Sequence, residues 1–410
     1  GRGRWQLVVN GDFIDFCNPA VGGGGARAGA RGGEAVAIER LHAALDAYPG
    51  VEDALVRFRE AGHGIVFVAG NHDAELLYPG VQRALRERLE GATAGEAEGA
   101  LSTTGAIHLA ALHAGRVHFV PWFVHEPGAL WIEHGHLFDP ACRTTDPLAP
   151  TRRGHLVQSL AEVATRSFTN LMPEIDYDAP DRYTGADYVR WAAARGLRFV
   201  LLVVFLYLRM VGRMLALWAA AGRVDRAGKA AHKERLERVA ANAGLQMSTL
   251  TALQEMAPPP SAATVGGVLS VTALDVILTF IAGSLFAGLG ARALGLALTI
   301  AAPLAVVVGA GLARQVVRRR ARRVIADAMS GVAGAIGAVT GAPLVLMGHS
   351  HRGSVEVHEG VVYANSGCWL DGSHLVVRRG PGGEPAAVEL RRWRNGGVSI
   401  VAREAIAAPG

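Results

Sequence analysis

Short apolar runs alternate with helical patterns along the first third of the chain. The runs Gln6–Asn10 and Gly64–Ala69 predict buried strands, and Val36–Tyr48 and Glu52–Ala61 predict helices between them. Strands that alternate with helices in this way are typical of a layered α/β fold. The stretch 20–33 is mostly glycine and alanine and predicts a loop. It is not a P-loop, because no Gly-Lys-Ser/Thr ends it.

The pattern changes from Thr151 to Thr340, where an Ala- and Arg-rich stretch predicts helices and carries the strongest apolar runs. Short strand patterns return after that stretch, at Leu344–Met347, Val361–Ala364, His374–Val377 and Ala387–Trp393. We therefore predict one α/β domain in two parts, residues 1–150 and 343–410, separated by a helical insertion over residues 151–342.

Composition narrows the class of protein. Half of the 410 residues are hydrophobic and the mean hydropathy is +0.23, which points to local apolar runs rather than to a uniformly soluble chain. The formal net charge is +5, but the basic residues are not interleaved with aromatic ones, so no nucleic-acid partner is predicted. The three cysteines lie far apart without a Cys-x-x-Cys pair, which excludes a disulfide framework and a thiolate zinc site.

Four short motifs follow apolar strand patterns and carry groups that bind divalent metals. Carboxylate, carboxamide and imidazole groups form mixed oxygen and nitrogen sites, and open α/β sheets place such sites at the carboxyl ends of their strands. The glycines allow sharp turns that aim the next side chain into a cleft. The motifs are Gly11–Asp15, Gly70–Asp73, His134–His136 and Gly348–His351. Their order and content predict one metal centre built from distant parts of the chain.

The motifs read Gly-Asp-x-x-Asp, Gly-Asn-His-Asp, His-Gly-His and Gly-His-x-His, and in this order the chain resembles the calcineurin-like metallophosphoesterases. Asn365–Trp369 is similar to the Asn-Thr-Gly-Ser-Trp of many bacterial members. The resemblance covers roughly residues 5–140 and 343–400. It implies a layered β-sandwich flanked by helices, and the motifs are also similar to those of a bacterial member that cleaves UDP-2,3-diacylglucosamine.

The resemblance also implies roles for individual residues. Two divalent ions, with Mn, Fe, Zn and Mg all open, would activate a hydroxide for in-line attack on phosphorus. His72 would lie just outside the metals and either protonate the leaving oxygen or stabilise its charge. The implied ligands are Asp12 between the two ions, Asn71, His134 and His349 on the second ion, and His351 on the first.

Two roles remain open for several residues in or near the motifs. His136 is expected either to support the site from behind the ligands or simply to pack. Arg352 is expected either to bind a substrate phosphate bidentately or to be a solvated surface group. A helix-capping role is the alternative for Asp12 and the favoured interpretation of Asp15.

One family motif has no counterpart here. The family's Asp-x-His precedes Gly-Asp-x-x-Asp and supplies two ligands to the first ion, but only Gly1–Gly11 precede Asp12. With Asp12 and His351 as its remaining family ligands, the first ion is expected to bind weakly. We expect either an amino-terminal truncation or loss of the site in this lineage.

The insertion carries two apolar runs, Val265–Leu289 and Ala293–Ala313, each long enough to cross a bilayer. They predict a transmembrane hairpin over residues 265–313, and the six arginines that follow place its ends in the cytoplasm. A buried helical hairpin in a soluble domain is the alternative. The motifs before and after the insertion must meet, so the chain must cross the membrane an even number of times. The third run, Leu197–Ala221, is therefore predicted to be a helix that either lies in the membrane interface or caps the site.

These features predict a metal-dependent hydrolase of phosphate esters or pyrophosphates on the cytoplasmic face of the plasma membrane, with several membrane crossings. The membrane segment favours a phosphorylated small molecule or a lipid-linked compound as the substrate. A catalytically impaired membrane scaffold or metal-binding protein with the same fold is the main alternative. A transport-related module regulated by the α/β domain is a further one.

Overall fold

The chain has a mixed α/β fold, as its alternating pattern predicts. The computed structural model describes residues 4–17, 32–91, 115–148, 151–152, 154–172, 175, 183, 185–221, 226–272 and 325–407. The strands are β1 Gln6–Asn10, β2 Gly64–Val68, β3 Val117–Val120, β4 Phe123–Glu126, β5 Leu130–Glu133, β6 Thr151–Arg152, β7 His155–Leu156, β8 Leu344–Met347, β9 Ser354–His358, β10 Val361–Asn365, β11 Ser373–Arg379, β12 Pro385–Arg394 and β13 Gly397–Ala405. The helices are α1 Glu34–Ala47, α2 Pro49–Glu60, α3 Pro79–Glu90, α4 Leu160–Ser167, α5 Gly185–Ala193, α6 Leu197–Ala221, α7 Arg226–Ala243, α8 Met247–Met256, α9 Val265–Thr272 and α10 Ile325–Thr340.

The first sheet is parallel, with the strand order β1-β2-β3. Its middle strand is buried on both faces, which explains its continuous apolar sequence. Ile65 and Phe67 pack with α1, α2 and α3 on one face, whereas Val66 and Val68 pack toward the second sheet on the other. The period of two along a strand produces this division.

The second sheet has the order β4-β5-β8-β10-β9, and its three central strands are parallel. Leu344 and Leu346 of β8 share an apolar cluster with Val66 and Val68 of the first sheet. Val345, on the opposite face of β8, packs in a different cluster that contains residues of α7, α8 and α10. These three helices come from the predicted insertion, and the proposed division into domains remains a prediction.

Two smaller sheets complete the described strands. The third sheet is antiparallel, with the order β11-β12-β13. Val388 of β12 and Ile406, which follows β13, belong to the apolar cluster shared by the two larger sheets. The pair β6-β7 is short and places Leu156 among the apolar residues around α1 and α3. One apolar cluster therefore lies between the two larger sheets, and two further clusters lie between these sheets and the helices on their outer faces.

The polar segment His232–Met256 forms two helices, α7 and α8, which share one apolar cluster. The chain reverses at Gly244, whose φ of 63° lies in the left-handed region that favours glycine. The Leu245 N–H then bonds to the Ala240 carbonyl at 3.0 Å and closes the end of α7.

The predicted location in a membrane, with several crossings, is wrong. Among the described residues only one helix, Leu197–Ala220, is long and apolar enough to cross a bilayer. Helix α6 buries residues such as Met210 and Met214 against neighbours that include Leu160 and Val268. Of the predicted hairpin 265–313, residues 265–272 form α9 and the remainder lies outside the described residues.

Candidate metal centre

The four motifs meet where parallel strands end. Asp12 follows β1, Asn71 follows β2, His134 follows β5 and His349 follows β8. The side-chain amide of Asn10 donates to the Glu133 carbonyl at 2.9 Å, which ties the end of the first sheet to the end of the second. Two separate sheets therefore present their carboxyl ends to one site.

Asp12, Asn71 and His134 are in direct contact. The His134 Nε2 atom lies 3.2 Å from Asp12 Oδ2 and 3.2 Å from Asn71 Oδ1. His349 joins this group, since one ligand atom from each of Asp12, His134 and His349 lies within 4.8 Å of the others. The carboxylate, amide oxygen and imidazole groups predicted from the sequence to share a site are thus brought together.

The backbone at these positions adopts left-handed conformations. Asp12 and His349 have φ angles of 56° and 61°, in a region where residues other than glycine are uncommon and cost about 1–3 kcal/mol each. A Cβ atom on Gly70 would lie 2.3 Å from Asp12 Oδ1, and a Cβ on Gly11 would lie 2.2 Å from the His134 ring. The motif glycines are therefore required by the close approach of these side chains.

His134 is oriented by the main chain. Its Nδ1 atom lies 2.7 Å from the Asn10 carbonyl oxygen, which can only accept, so Nδ1 carries the hydrogen. The other nitrogen, Nε2, is left facing Asp12 and Asn71. A hydrogen bond to the outer nitrogen of a metal-binding histidine fixes its tautomer in the same way.

The charges of the site support one another. Burial opposes ionisation of Asp12, but His134 and His72 lower the pKa of its carboxyl well below the usual range. Burial also opposes protonation of His134, yet Asp12 and the Asn10 carbonyl raise its pKa above 6.5. In the absence of a metal, a proton on His134 thus balances the charge of Asp12.

His72 lies beside the ligands and is paired with Asp15. Its Nδ1 atom is 3.1 Å from Asp15 Oδ1, and its backbone N–H donates to Asp12 Oδ1 at 2.8 Å. Burial disfavours the protonated ring, but Asp12 and Asp15 raise the pKa of His72 well above 6.5. The ring is therefore positively charged at neutral pH. Asp15 makes this ion pair, a contact that the favoured helix-cap interpretation did not include.

Asp73 links the first motif to the second through hydrogen bonds to the main chain of both. Its two carboxylate oxygens accept from the Gly70 N–H at 2.6 Å and from the Phe13 N–H at 2.8 Å. Burial and the nearby Asp12 charge raise the pKa of Asp73 to about 7. No role was predicted for this residue, although its position after Asn71 and His72 in a Gly-Asn-His-Asp motif is the signal that could have found it.

His136 is close to the ligands without sharing their contacts. Its ring centroid lies 5.4 Å from that of His134 and 6.5 Å from that of His349. Its Nδ1 atom is buried and has no hydrogen-bond partner among the described residues. Burial and the two neighbouring histidines lower the pKa of His136 well below 6.5, which keeps the ring neutral.

His351 and Arg352 are both exposed. His351 has a φ of 56°, which matches the strained backbone of Asp12 and His349. It is not among the residues that the structure groups within 4.8 Å of Asp12, and this grouping covers only the described part of the chain. The roles of His351 as a ligand and of Arg352 as a phosphate-binding residue remain predictions.

A small cavity opens beside Asn71 and His136. Most of its wall is apolar, and the polar groups on it come mainly from the segment after β5 and from the start of α4. The other lining residues are Ala69, Gly70, Ala74, Leu77, Pro121, Cys142, Thr144, Pro147, Val157, Ser159 and Glu162.

Comparison with known proteins adds no relative to this picture. No family model, curated protein or solved structure matches the chain. The functional argument therefore depends on the site's own residues.

Proposed function

We propose that this chain is a metal-dependent hydrolase of phosphate esters or pyrophosphates, of the calcineurin-like metallophosphoesterase type. The observation that carries the proposal is the contact of His134 with both Asp12 and Asn71, with His349 beside them. Three donor types from four separate motifs converge there at strand ends. We also propose that the two larger sheets and the helices outside them form the layered sandwich of that family, supported by the three apolar clusters.

The donor set fits a hard or borderline divalent cation. Asp12 supplies a carboxylate, Asn71 an amide oxygen, and His134 and His349 imidazole nitrogens, a combination suited to Mn, Fe, Zn or Mg. The clash of a Cβ on Gly70 with Asp12 indicates that the cradle is closely fitted to these side chains. A second ion would draw on Asp12 and His351. Bound metal would supply a hydroxide nucleophile and offset the charge that develops on the phosphoryl oxygens.

His72 is suited to the other half of the reaction. Asp15 accepts from Nδ1, and in this proposal Nε2 donates a proton or hydrogen bond to the leaving oxygen. The raised pKa of His72 keeps that proton available at neutral pH. The hydrogen bond from the His72 backbone N–H to the Asp12 carboxylate keeps the proposed acid, His72, next to the proposed metal ligand, Asp12.

A metal-binding protein without turnover is the competing proposal. It is supported by the exposure of His351, the only implied ligand of the first ion besides Asp12. Under this proposal the chain binds one ion through its complete donor set, and hydrolysis is absent.

The test is hydrolysis of an aryl phosphate monoester and an aryl phosphate diester by the full chain, first stripped with chelator and then given Mn²⁺. We expect Mn²⁺-dependent hydrolysis of at least one compound and a loss of about 10²-fold or more in Asp12→Asn. Asp53→Asn, which changes an exposed carboxylate on α2, is the matched control and is expected to keep full activity. Equal activity in Asp12→Asn and the unaltered chain would refute the proposal.

A further inference from the structure

Asp139 is in contact with the candidate ligand His349. The His349 Nε2 atom lies 3.3 Å from Asp139 Oδ2, and both side chains are largely buried, with exposures of 9% and 15%. An ionised carboxylate only accepts hydrogen bonds, so Nε2 must carry the hydrogen. The Nδ1 atom of His349 is then left with a free lone pair.

The Asp139 carboxylate is itself held in place by a turn. Its Oδ1 atom accepts from the Ala141 N–H at 2.9 Å. Its backbone carbonyl accepts from the N–H groups of Cys142 at 3.0 Å and Arg143 at 2.9 Å. The turn follows His134 and His136 directly, so one short segment supplies both a ligand and the partner of another ligand.

This turn is fastened to the helical part of the chain. The Arg143 guanidinium donates to the carbonyls of Ala257 and Pro258, each at 2.8 Å, at the end of α8. The Ser261 N–H donates to the Pro140 carbonyl at 2.7 Å. The segment that follows α8 therefore helps to fix the position of Asp139 beside the site.

We propose that Asp139 is a positioning residue for metal binding, which sets His349 in the tautomer whose Nδ1 atom faces the metal. The proposal rests on the proposed function, because it requires a metal at the Asp12, His134 and His349 group. A carboxylate behind a histidine ligand fixes the ring and strengthens it as a donor, and loss of such a partner typically weakens metal affinity 10–100-fold.

Direct coordination by Asp139 is the competing account. Donor atoms of Asp139, Cys142 and His349 also lie within 4.8 Å of one another. In that account Cys142 shares the metal, so its removal should weaken binding as much as removal of Asp139. A positioning role requires no bond from the Cys142 sulfur to the metal, although the Cys142 side chain is hydrogen-bonded to that of Asp139.

The experiment measures Mn²⁺ affinity of the full chain by competition with a fluorescent chelator. We expect affinity to fall 10–100-fold in Asp139→Ala and by a smaller factor in Asp139→Asn, whose side-chain oxygen can still accept. In Cys142→Ala, which removes one hydrogen bond to Asp139 but no metal ligand, the fall should be much smaller than in Asp139→Ala. Asp53→Ala is the control for removing a carboxylate, and thermal unfolding of each variant checks that it is folded. Histidine ¹⁵N spectra of the metal-free chain should show the Nε2–H tautomer for His349, and Asp139→Ala should lose that preference.

Three results would overturn the inference. Affinity within twofold of the unaltered chain in Asp139→Ala, together with lost binding in His349→Ala, would leave the proposed function standing and remove the role of Asp139. Equal losses in Asp139→Ala and Cys142→Ala would replace positioning with direct coordination. Absence of Mn²⁺ binding by the unaltered chain would instead refute the metal centre and, with it, the proposed function.

Discussion

The Nε2 atom of His134 lies 3.2 Å from the Oδ2 atom of Asp12, although the two residues end strands of different sheets. In the metal-free chain this contact is an ion pair, because the carboxylate raises the pKa of the ring. A metal ligand must instead be the neutral imidazole. The proton on His134, which Asp12 stabilises, must therefore leave before the ring can bind a metal.

We predict that Mn²⁺ binding releases protons and weakens as the pH falls. The pKa of His134 is raised above 6.5, so the ring is protonated below that folded pKa and competes with the metal there. Calorimetric titrations in buffers with different ionisation enthalpies measure the protons released, and repeating them at pH 6 and pH 8 gives the change in affinity. Equal affinity at both pH values would contradict the prediction.

Replacement of Gly70 by alanine should disrupt the metal centre. The added Cβ would lie 2.3 Å from Asp12 Oδ1 and 2.6 Å from the Asp12 backbone nitrogen, so the loop carrying Asp12 must shift. We expect Mn²⁺ affinity to fall by about 10-fold or more, as for other disturbed ligand shells. Gly50→Ala is the matched control, because a Cβ there meets nothing within 4 Å. Similar affinities in the two variants would show that the approach at Gly70 is unimportant.

Asp15→Asn should impair the proposed acid without removing a metal ligand. Asp15 raises the pKa of His72 through a 3.1 Å contact, and an uncharged partner lowers that pKa again. The protonated ring is the active form, so activity is lost as pH rises through the folded pKa, and in Asp15→Asn this loss moves to lower pH. We expect kcat to fall about 10²-fold with little change in KM.

The control for Asp15→Asn is Asp46→Asn, which removes an exposed carboxylate paired with Arg88 at 2.9 Å. Its pH profile should match that of the unaltered chain. A profile for Asp15→Asn that is lower at every pH but not displaced along the pH axis would argue against the proton-donor role of His72.

Glu133 gives a test of stability. Its buried carboxyl accepts from the indole N–H groups of Trp122 and Trp131, each at 3.0 Å, yet burial raises its pKa to about 7. The folded chain thus keeps a proton that the unfolded chain loses near pH 4.3, so stability falls as the pH rises from about 4 to about 7. At pH 8 the cost is on the order of 3–4 kcal/mol at most, because the pKa rises from about 4.3 in the unfolded chain to about 7 in the folded chain.

Glu133→Gln should remove this pH dependence, so the free energy of unfolding should fall less between pH 4 and pH 8 than it does in the unaltered chain, as measured by urea unfolding. The glutamine amide nitrogen cannot accept, so one of the two indole hydrogen bonds is lost at every pH and the comparison is between the two pH slopes. Glu126→Gln gives the contrasting case. Glu126 is paired with Arg379 at 2.7 Å, so its neutralisation should lower stability at pH 8. An equal fall in stability between pH 4 and pH 8 in Glu133→Gln and in the unaltered chain would contradict the prediction.

The sequence pattern predicts much of the fold where apolar runs are short and bounded by glycine. The strands Gln6–Asn10 and Leu344–Met347 and the helix Leu197–Ala221 have the predicted bounds. The break between α7 and α8 at Gly244 was not predicted, because the helical pattern continues on both sides of this one glycine. The surface strand Gly397–Ala405 was missed because it is exposed along most of its length and so shows no clear alternation of buried and polar residues.

In the candidate site, too, some features could be predicted from the sequence and others could not. Asp12, Asn71, His134 and His349 could be predicted because glycine turns after strands mark the edge of a sheet. The bond between His349 and Asp139 could not, because a ligand's supporting partner has no fixed spacing and depends on how the turn after His136 is anchored to α8. Membrane crossing could not be decided from hydropathy alone, since α6 is apolar enough to span a bilayer and yet buries part of its surface in the protein.

The most direct test of the account is a titration of chelator-stripped chain with Mn²⁺ in which bound metal and diester hydrolysis are followed in the same sample. The account predicts that hydrolysis rises with metal occupancy and that Asp12→Asn loses both. Hydrolysis without bound metal, or undiminished hydrolysis in Asp12→Asn, would contradict it. Full metal occupancy without hydrolysis would instead support the metal-binding protein that lacks turnover.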